Sequence, residues 1–312
     1  MDVTAWLLDS DPAIRWQVMR DLLDEPADVV AAERAEVATH GWGARLLALQ
    51  DEHGQWGGGT YSPKWISTTY TLLLLRLLGL DPDSPQARSA LDRVREGVSW
   101  GRRGDRPFFA GHTETCINSM VLALAAYFCE PVPDTDRLLE RVLDEQLDDG
   151  GWNCEAPAHS RVASFHTTIL ALEGLLEFER SRGPRPEVTA ARARGEEYLL
   201  ERRLFRSRST GEVITPVWTR FSFPPQWHYD VLRALDYFRS TAAPPDDRCA
   251  DAIDLVVERR RVDGRWPLQH THRGEVHFQL EDGDGKPSRW NTLRAMRVLG
   301  WYGVEVTPEH SA

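Results

Sequence analysis

The sequence predicts an all-α protein, an α/α toroid in which six outer helices ring six inner ones as a barrel of hairpins. Three observations lead there. A turn ending in Gly-x-Trp recurs at Trp56, Trp152 and Trp266. An apolar segment too hydrophobic for a surface follows each turn, and a helix charged on one face precedes it, which is the alternation of a buried and an outer helix. Degenerate copies of the turn around Trp100 and Phe205 set a spacing of 44 to 61 residues between successive turns, the length of a helical hairpin. An open solenoid of hairpins has the same period; the glycine–tryptophan turns favour the closed form.

Taken in order, the chain begins with Asp11-Pro12, a helix cap followed by a residue suited to the first helical position. The segment PADVVAAERAEVATHG completes an N-terminal hairpin over residues 1–41. Five repeats then fill 42–302 and a short tail ends the chain at 312, all within one domain. The outer helices include SPQARSALDRVREGV and TDRLLERVLDEQL, with apolar positions three and four apart. The inner helices are expected over 65–79, 112–128, 164–179, 226–238 and 288–302. In each full turn a glycine closes the outer helix. The glutamine or arginine ahead of it (Gln50, Gln146, Arg260) is placed to cap helix carbonyls or to stack on the indole.

Bulk properties narrow the function without naming it. Hydrophobic residues are 41% and charged residues 27% of the chain, and no apolar run reaches the length of a membrane span. A formal charge of -11 opposes non-specific attraction to nucleic acid or anionic membrane and favours a small-molecule partner. The amino terminus carries acids where a secretory signal carries basic residues. Cys116, Cys129, Cys154 and Cys249 lack framework spacing, so they read as free thiols or ligands in a reducing, cytoplasmic compartment.

Gln50/Gly54/Trp56 and Gln146/Gly150/Trp152 match the pattern Gln-x3-Gly-x-Trp, and Arg260/Gly264/Trp266 matches without the glutamine. This resembles the QW repeat of the squalene and terpenoid cyclases, and the repeat plan resembles the superfamily that they share with the protein prenyltransferases. The resemblance implies an α/α toroid acting on an apolar or isoprenoid-like substrate as a transferase or lyase. In prenyltransferases it also implies a partner subunit; a homo-oligomer is the other form considered. The Asp-x-Asp-Asp acid motif of alkene-protonating cyclases is missing. The nearest acidic strings, Asp148-Asp149 and Glu281-Asp282-Gly-Asp284, read as solvated surface.

If the inner helices run parallel, their first turns share one mouth with the loops before them. Glu114-Thr-Cys116 and His166 resemble the Asp-x-Cys and histidine ligands of the prenyltransferase zinc site, with glutamate replacing aspartate. Residues two apart on a helix diverge by about 200° unless the first precedes the helix. His112 and Cys116, four apart, offer an alternative pair. The expected metal is zinc, held by Cys116, His166 and Glu114 or His112. Glu114, His166, His228 and Asp230 are the candidate acid, base or nucleophile-activating groups. Trp65, Phe165, Trp218, Trp227, Tyr229 and Trp290, with Phe223, supply aromatic walls that suit an isoprenoid or a carbocation, and Asn291 joins them. Arg102, Arg103 and Arg106 precede the Glu114 helix much as basic residues precede the Asp-x-Cys helix where prenyltransferases hold diphosphate, although arginine is abundant throughout the chain and a solvated turn is the favoured reading. The segment from Gln269 to Lys286, with His270, His272 and His277, is long enough for a lid. A metal-dependent hydrolase or lyase using His228 and Asp230, and a non-catalytic binding toroid, are the competing functions.

Overall fold

The computed structural model describes residues 2–97, 114–128 and 133–304. In chain order the helices are α1 (Val3–Leu8), α2 (Pro12–Asp21), α3 (Ala27–Ala35), α4 (Gly41–Ala48), α5 (Thr68–Leu78), α6 (Pro85–Gly97), α7 (Thr115–Phe128), α8 (Pro133–Asp144), α9 (Phe165–Arg182), α10 (Pro186–Leu200), α11 (Val231–Ser240), α12 (Ala250–Glu258) and α13 (Arg289–Tyr302). Among the described residues there is no strand, only isolated bridges such as Arg206 to Val213. The protein is therefore all-helical. No described helix is long and apolar enough to cross a membrane.

The chain divides into two compact units. One comprises Leu46–Leu199 with Gly274–His277, and the other Met1–Arg45, Leu200–Arg273 and Phe278–Ala312. We call them the central and the terminal unit.

The repeat is executed alike in both. Trp56, Trp152 and Trp266 are each fully buried. Their indole N–H groups donate to the carbonyls of Leu46, Val142 and Val256 at 2.7, 2.6 and 2.6 Å, always ten residues upstream. Those carbonyls lie near the ends of α4, α8 and α12, where the last turn lacks intrahelical donors. The backbone N–H of each tryptophan in turn donates to a threonine hydroxyl of the following buried helix, Thr68 of α5, Thr168 of α9 or Thr292 of α13, at 3.0 to 3.1 Å. One indole thus fastens the outgoing helix while its own backbone fastens the incoming one. The turn glycines Gly54, Gly150 and Gly264 have φ of 75°, 91° and 79°, a region that L side chains avoid. Gln50 and Gln146 cap the carbonyls of Gly54 and Gly150 at 2.9 and 2.6 Å, whereas Arg260 lies over the Trp266 ring at 5.8 Å. The expected stacking occurs at Arg260, whereas the glutamines cap carbonyls of the turn glycines instead of the helix end.

In the central unit α7 and α9 pack along their length. Gly174 makes this approach feasible, since a Cβ there would meet the Ser119 carbonyl at 2.6 Å. The apolar faces of α7 and α9 (Ile117, Leu122 and Leu124 with Ile169, Leu172 and Leu175) are almost wholly buried, so packing dominates their stability. In the terminal unit Asp11 caps α2 by accepting from Ala13 N at 2.9 Å and also from Trp42 N, as expected from Asp11-Pro12. Arg297 of α13 donates to Asp236 of α11, and to Gln17 and Asp21 of α2 at 2.9 and 3.1 Å. Burial opposes ionisation of Asp236, but Arg297, Arg239 and Arg294 outweigh it and hold its carboxyl well below the usual range. This network has enough partners to offset its desolvation.

Candidate metal centre

Glu114 lies just ahead of α7, where its carbonyl accepts from Ile117 N and Asn118 N at 2.9 and 3.0 Å. Because it precedes the helix, the divergence expected of residues two apart does not apply. Its Oε2 comes within 3.5 Å of Cys116 Sγ. The third member is Cys154, which lies two residues past the Trp152 turn in the loop leading to α9. The hydroxyl oxygen of Thr167, at the third position of α9, accepts from Cys154 N at 3.3 Å and lies 3.2 Å from Cys154 Sγ. The backbone N–H of Cys116 donates to Cys154 Sγ at 3.3 Å. One ligand atom from each of Glu114, Cys116 and Cys154 lies within 4.8 Å of the other two. This is the only such group of three or more histidine, cysteine and acidic residues among the described residues.

Zinc–sulfur and zinc–oxygen bonds of 2.3 and 2.0 Å meeting at a tetrahedral angle place sulfur and oxygen about 3.5 Å apart. The Glu114–Cys116 separation has that value. The donor set, two sulfurs and one carboxylate, suits zinc. The two thiols share a proton unequally. Cys116, donating to Cys154 and facing Glu114, has its pKa driven up, also by burial. Cys154 has its pKa lowered, because the Cys116 thiol, the Thr167 hydroxyl and the Cys116 N–H all stabilise its thiolate against burial.

Aromatic groups adjoin the cluster. Tyr70 donates to the Tyr61 hydroxyl at 3.0 Å, and Trp65 packs edge-on to Tyr70 at 4.8 Å. Burial pushes the Tyr61 phenol up against the Tyr70 hydrogen bond, and the negative charge of Cys116, Glu114 and Cys154 adds to the rise. Trp65 N donates to the Glu275 carbonyl at 2.8 Å, and His277 Nε2 lies 2.9 Å from Thr71 Oγ1. Of the segment expected as a lid, residues 274–277 are thus part of the central unit's packing.

The other expected site residues fall out as follows. Phe165 is buried against Tyr198 at 5.5 Å. His166 is half-buried at the second position of α9 and outside the three-residue cluster. His112, Arg102, Arg103 and Arg106 lie outside the described residues. In the terminal unit Asp230 is the N-cap of α11. Its oxygens accept from Ser222 N at 3.2 Å, Ser222 Oγ at 2.8 Å and Arg233 N at 2.8 Å. His228 is stacked between Trp227 and His272, with both centroid distances 3.7 Å. Trp218 packs edge-on to Tyr229, whose hydroxyl donates to the Leu204 carbonyl. Trp290 stacks on Phe223 at 4.2 Å. Asn291 is fully buried and donates to the carbonyls of Phe221 and Pro267 at 3.2 and 3.1 Å.

Two features escaped the sequence reading. Cys154 was an unassigned thiol, although its place in the loop ahead of an inner helix is the signal that would have found it. Glu281, read as solvated surface, is corrected by the structure. Its Oε1 accepts from Ser288 Oγ at 2.6 Å and Trp290 N at 3.2 Å at the start of α13, and burial raises its pKa to about 7 against those hydrogen bonds.

No known protein family and no curated protein matches the chain.

Proposed function

We propose that the chain is a zinc-dependent enzyme acting on an apolar small molecule, built on the helical repeat of α/α toroids and resembling the terpene cyclases and protein prenyltransferases. The observation that carries this reading is the convergence of Glu114, Cys116 and Cys154 to within 4.8 Å at a sulfur–oxygen spacing that zinc itself imposes. Three protein ligands leave a fourth position for substrate or water, the arrangement of catalytic rather than structural zinc. Bound there, zinc supplies Lewis acidity and lowers the pKa of a coordinated water or thiol.

The chain's own residues have separate tasks. Thr167 and the Cys116 N–H hold the Cys154 sulfur in its charged form. Tyr61 and Tyr70 present hydroxyls, and Trp65 an aromatic face, to an apolar substrate. His166, one residue before Thr167, is assigned as the base. His228 and Asp230 have no part, because the oxygens of Asp230 are occupied by Ser222 and Arg233. Thiols that must stay reduced suit a cytoplasmic setting.

The test is metal analysis of protein purified without chelator. One zinc per chain is expected, lost in both Cys116→Ser and Cys154→Ser with unchanged helical circular dichroism. Absence of zinc, or zinc retained by both variants, contradicts the reading. A prenyl diphosphate that raises the melting temperature identifies the substrate as isoprenoid, since a ligand binding only the native state stabilises it.

A further inference from the structure

The terminal unit holds a basin of about 490 Å³ lined by Arg220, Arg259 and Arg261, with Thr219 and Gln269 as polar neighbours and Pro267 among its apolar walls. No acidic residue lines it. In a chain whose formal charge is -11, three guanidinium-bearing residues around one concavity form a local field opposite to the protein's average. Of the carboxylates nearest in sequence, Asp263 pairs with one lining arginine, so Arg220 and Arg259 carry the field among the described residues. Asp263 stands 3.6 Å from Arg261 Nε, and Asp284, beside the lining Gly285, accepts from Thr271.

The donors here are under-used. Arg259 Nε is shut off from solvent and has no hydrogen-bond acceptor. A buried donor without an acceptor is unfavourable unless something supplies one. Arg259 also ends α12, where the carbonyl end of the helix favours a cation. That explains a charge at this position but not the missing acceptor. Arg220 is exposed and forms no ion pair among the described residues. Gln269 spends its carbonyl oxygen on Phe221 N at 3.1 Å, which leaves its amide N–H groups as further donors. Arg261 is engaged by the protein, donating to the Gly285 carbonyl at 3.1 Å and paired with Asp263.

The geometry points to a binding site for a small organic phosphate or diphosphate, its oxyanion held by Arg220, Arg259 and Arg261 and its body resting on the apolar wall. Guanidinium forks match phosphate oxygens, and three of them call for an anion of more than one charge. The volume lies within the range of small-molecule pockets and exceeds what a bare phosphate fills. The site shares no residue with the metal centre, so it stands or falls separately from the zinc reading.

Isothermal titration of the full chain with sodium pyrophosphate at low ionic strength tests this. Saturable one-to-one binding is expected, weakened at least tenfold in Arg220→Ala/Arg259→Ala and weakened by added potassium chloride. If the double variant does not fold, Arg220→Ala alone serves, because that side chain is exposed; a loss of several-fold is expected there. Arg259→Lys keeps the charge without the fork and should fall between wild type and the double variant. Zinc content should be unchanged throughout. No saturable binding, or equal affinity in wild type and the arginine variants, overturns the proposal.

Discussion

The central and terminal units build the same turn from the same hydrogen bonds, yet they treat the polar residues at the starts of their buried helices in opposite ways. In the terminal unit those residues are consumed by the fold. Asp230 caps α11 and receives Ser222, and Asn291 bridges two backbone carbonyls; farther along α13, Arg297 is likewise spread over Asp236, Gln17 and Asp21. In the central unit Glu114, Cys116 and Cys154 face one another, three metal-ligating groups within 4.8 Å. A polar group on a buried helix therefore says little until its partners are counted. Saturation marks architecture, and a concentration of like donors marks a site.

The strongest way to break this comparison is to remove a charge from the saturated side. Asp236→Asn leaves Arg297, Arg239 and Arg294 short of their shared anion and should cost about 3–5 kcal/mol in urea unfolding. Cys154→Ser, on the unsaturated side, should cost less than about 1.5 kcal/mol in metal-free protein. Equal losses would erase the distinction.

Next in size is a pH effect with opposite signs at two carboxyls. Asp236 has its pKa lowered, so its contribution is present above the ordinary aspartate range and is lost as pH falls through its folded value. Glu281 has its pKa raised to about 7. Between the ordinary glutamate value and 7 the folded state binds the extra proton, so stability falls as pH rises through that window. Glu281→Gln should accordingly raise stability at pH 8 by roughly 2 kcal/mol and have little effect at pH 4. Thermal melts of both proteins across pH 4–8 check this, and a gain that is independent of pH would contradict it.

The smallest effect sharpens the common turn. Gln146→Ala removes a cap on Gly150 together with a bond to the Ala191 carbonyl and should cost about 1 kcal/mol. Arg260→Ala removes a stacked cation and should cost about 0.5 kcal/mol. Chemical denaturation of the two variants ranks them.

Much of the helical plan was legible because its signals are local. The apolar runs and the Gly-x-Trp turns placed the inner helices within a few residues of their observed starts, and Asp11-Pro12 marked the beginning of α2. The site was half legible. Glu114 and Cys116 are neighbours in the text, so their pairing depended only on where α7 begins. Cys154 comes from a different hairpin and reaches them through the packing of α7 on α9 at Gly174, a long-range fact that spacing does not encode. Glu281 was misread and the capping role of Asp230 was not foreseen for one reason: a carboxylate at a helix start serves as a cap or as an acid according to which N–H groups turn toward it. That is settled by loop geometry. The α1 helix was not anticipated, being short and flanked by acids that a surface loop also carries.

The central claim, that two thiolates and a carboxylate of the central unit form one metal centre, is tested most directly by cobalt(II) reconstitution followed by near-ultraviolet absorption. Sulfur-to-cobalt charge-transfer bands are expected, reduced by about half in Cys116→Ser and again by about half in Cys154→Ser, since each variant retains one of the two sulfurs. Bands that are absent in the wild type, or unchanged when Cys154 is replaced, would contradict it.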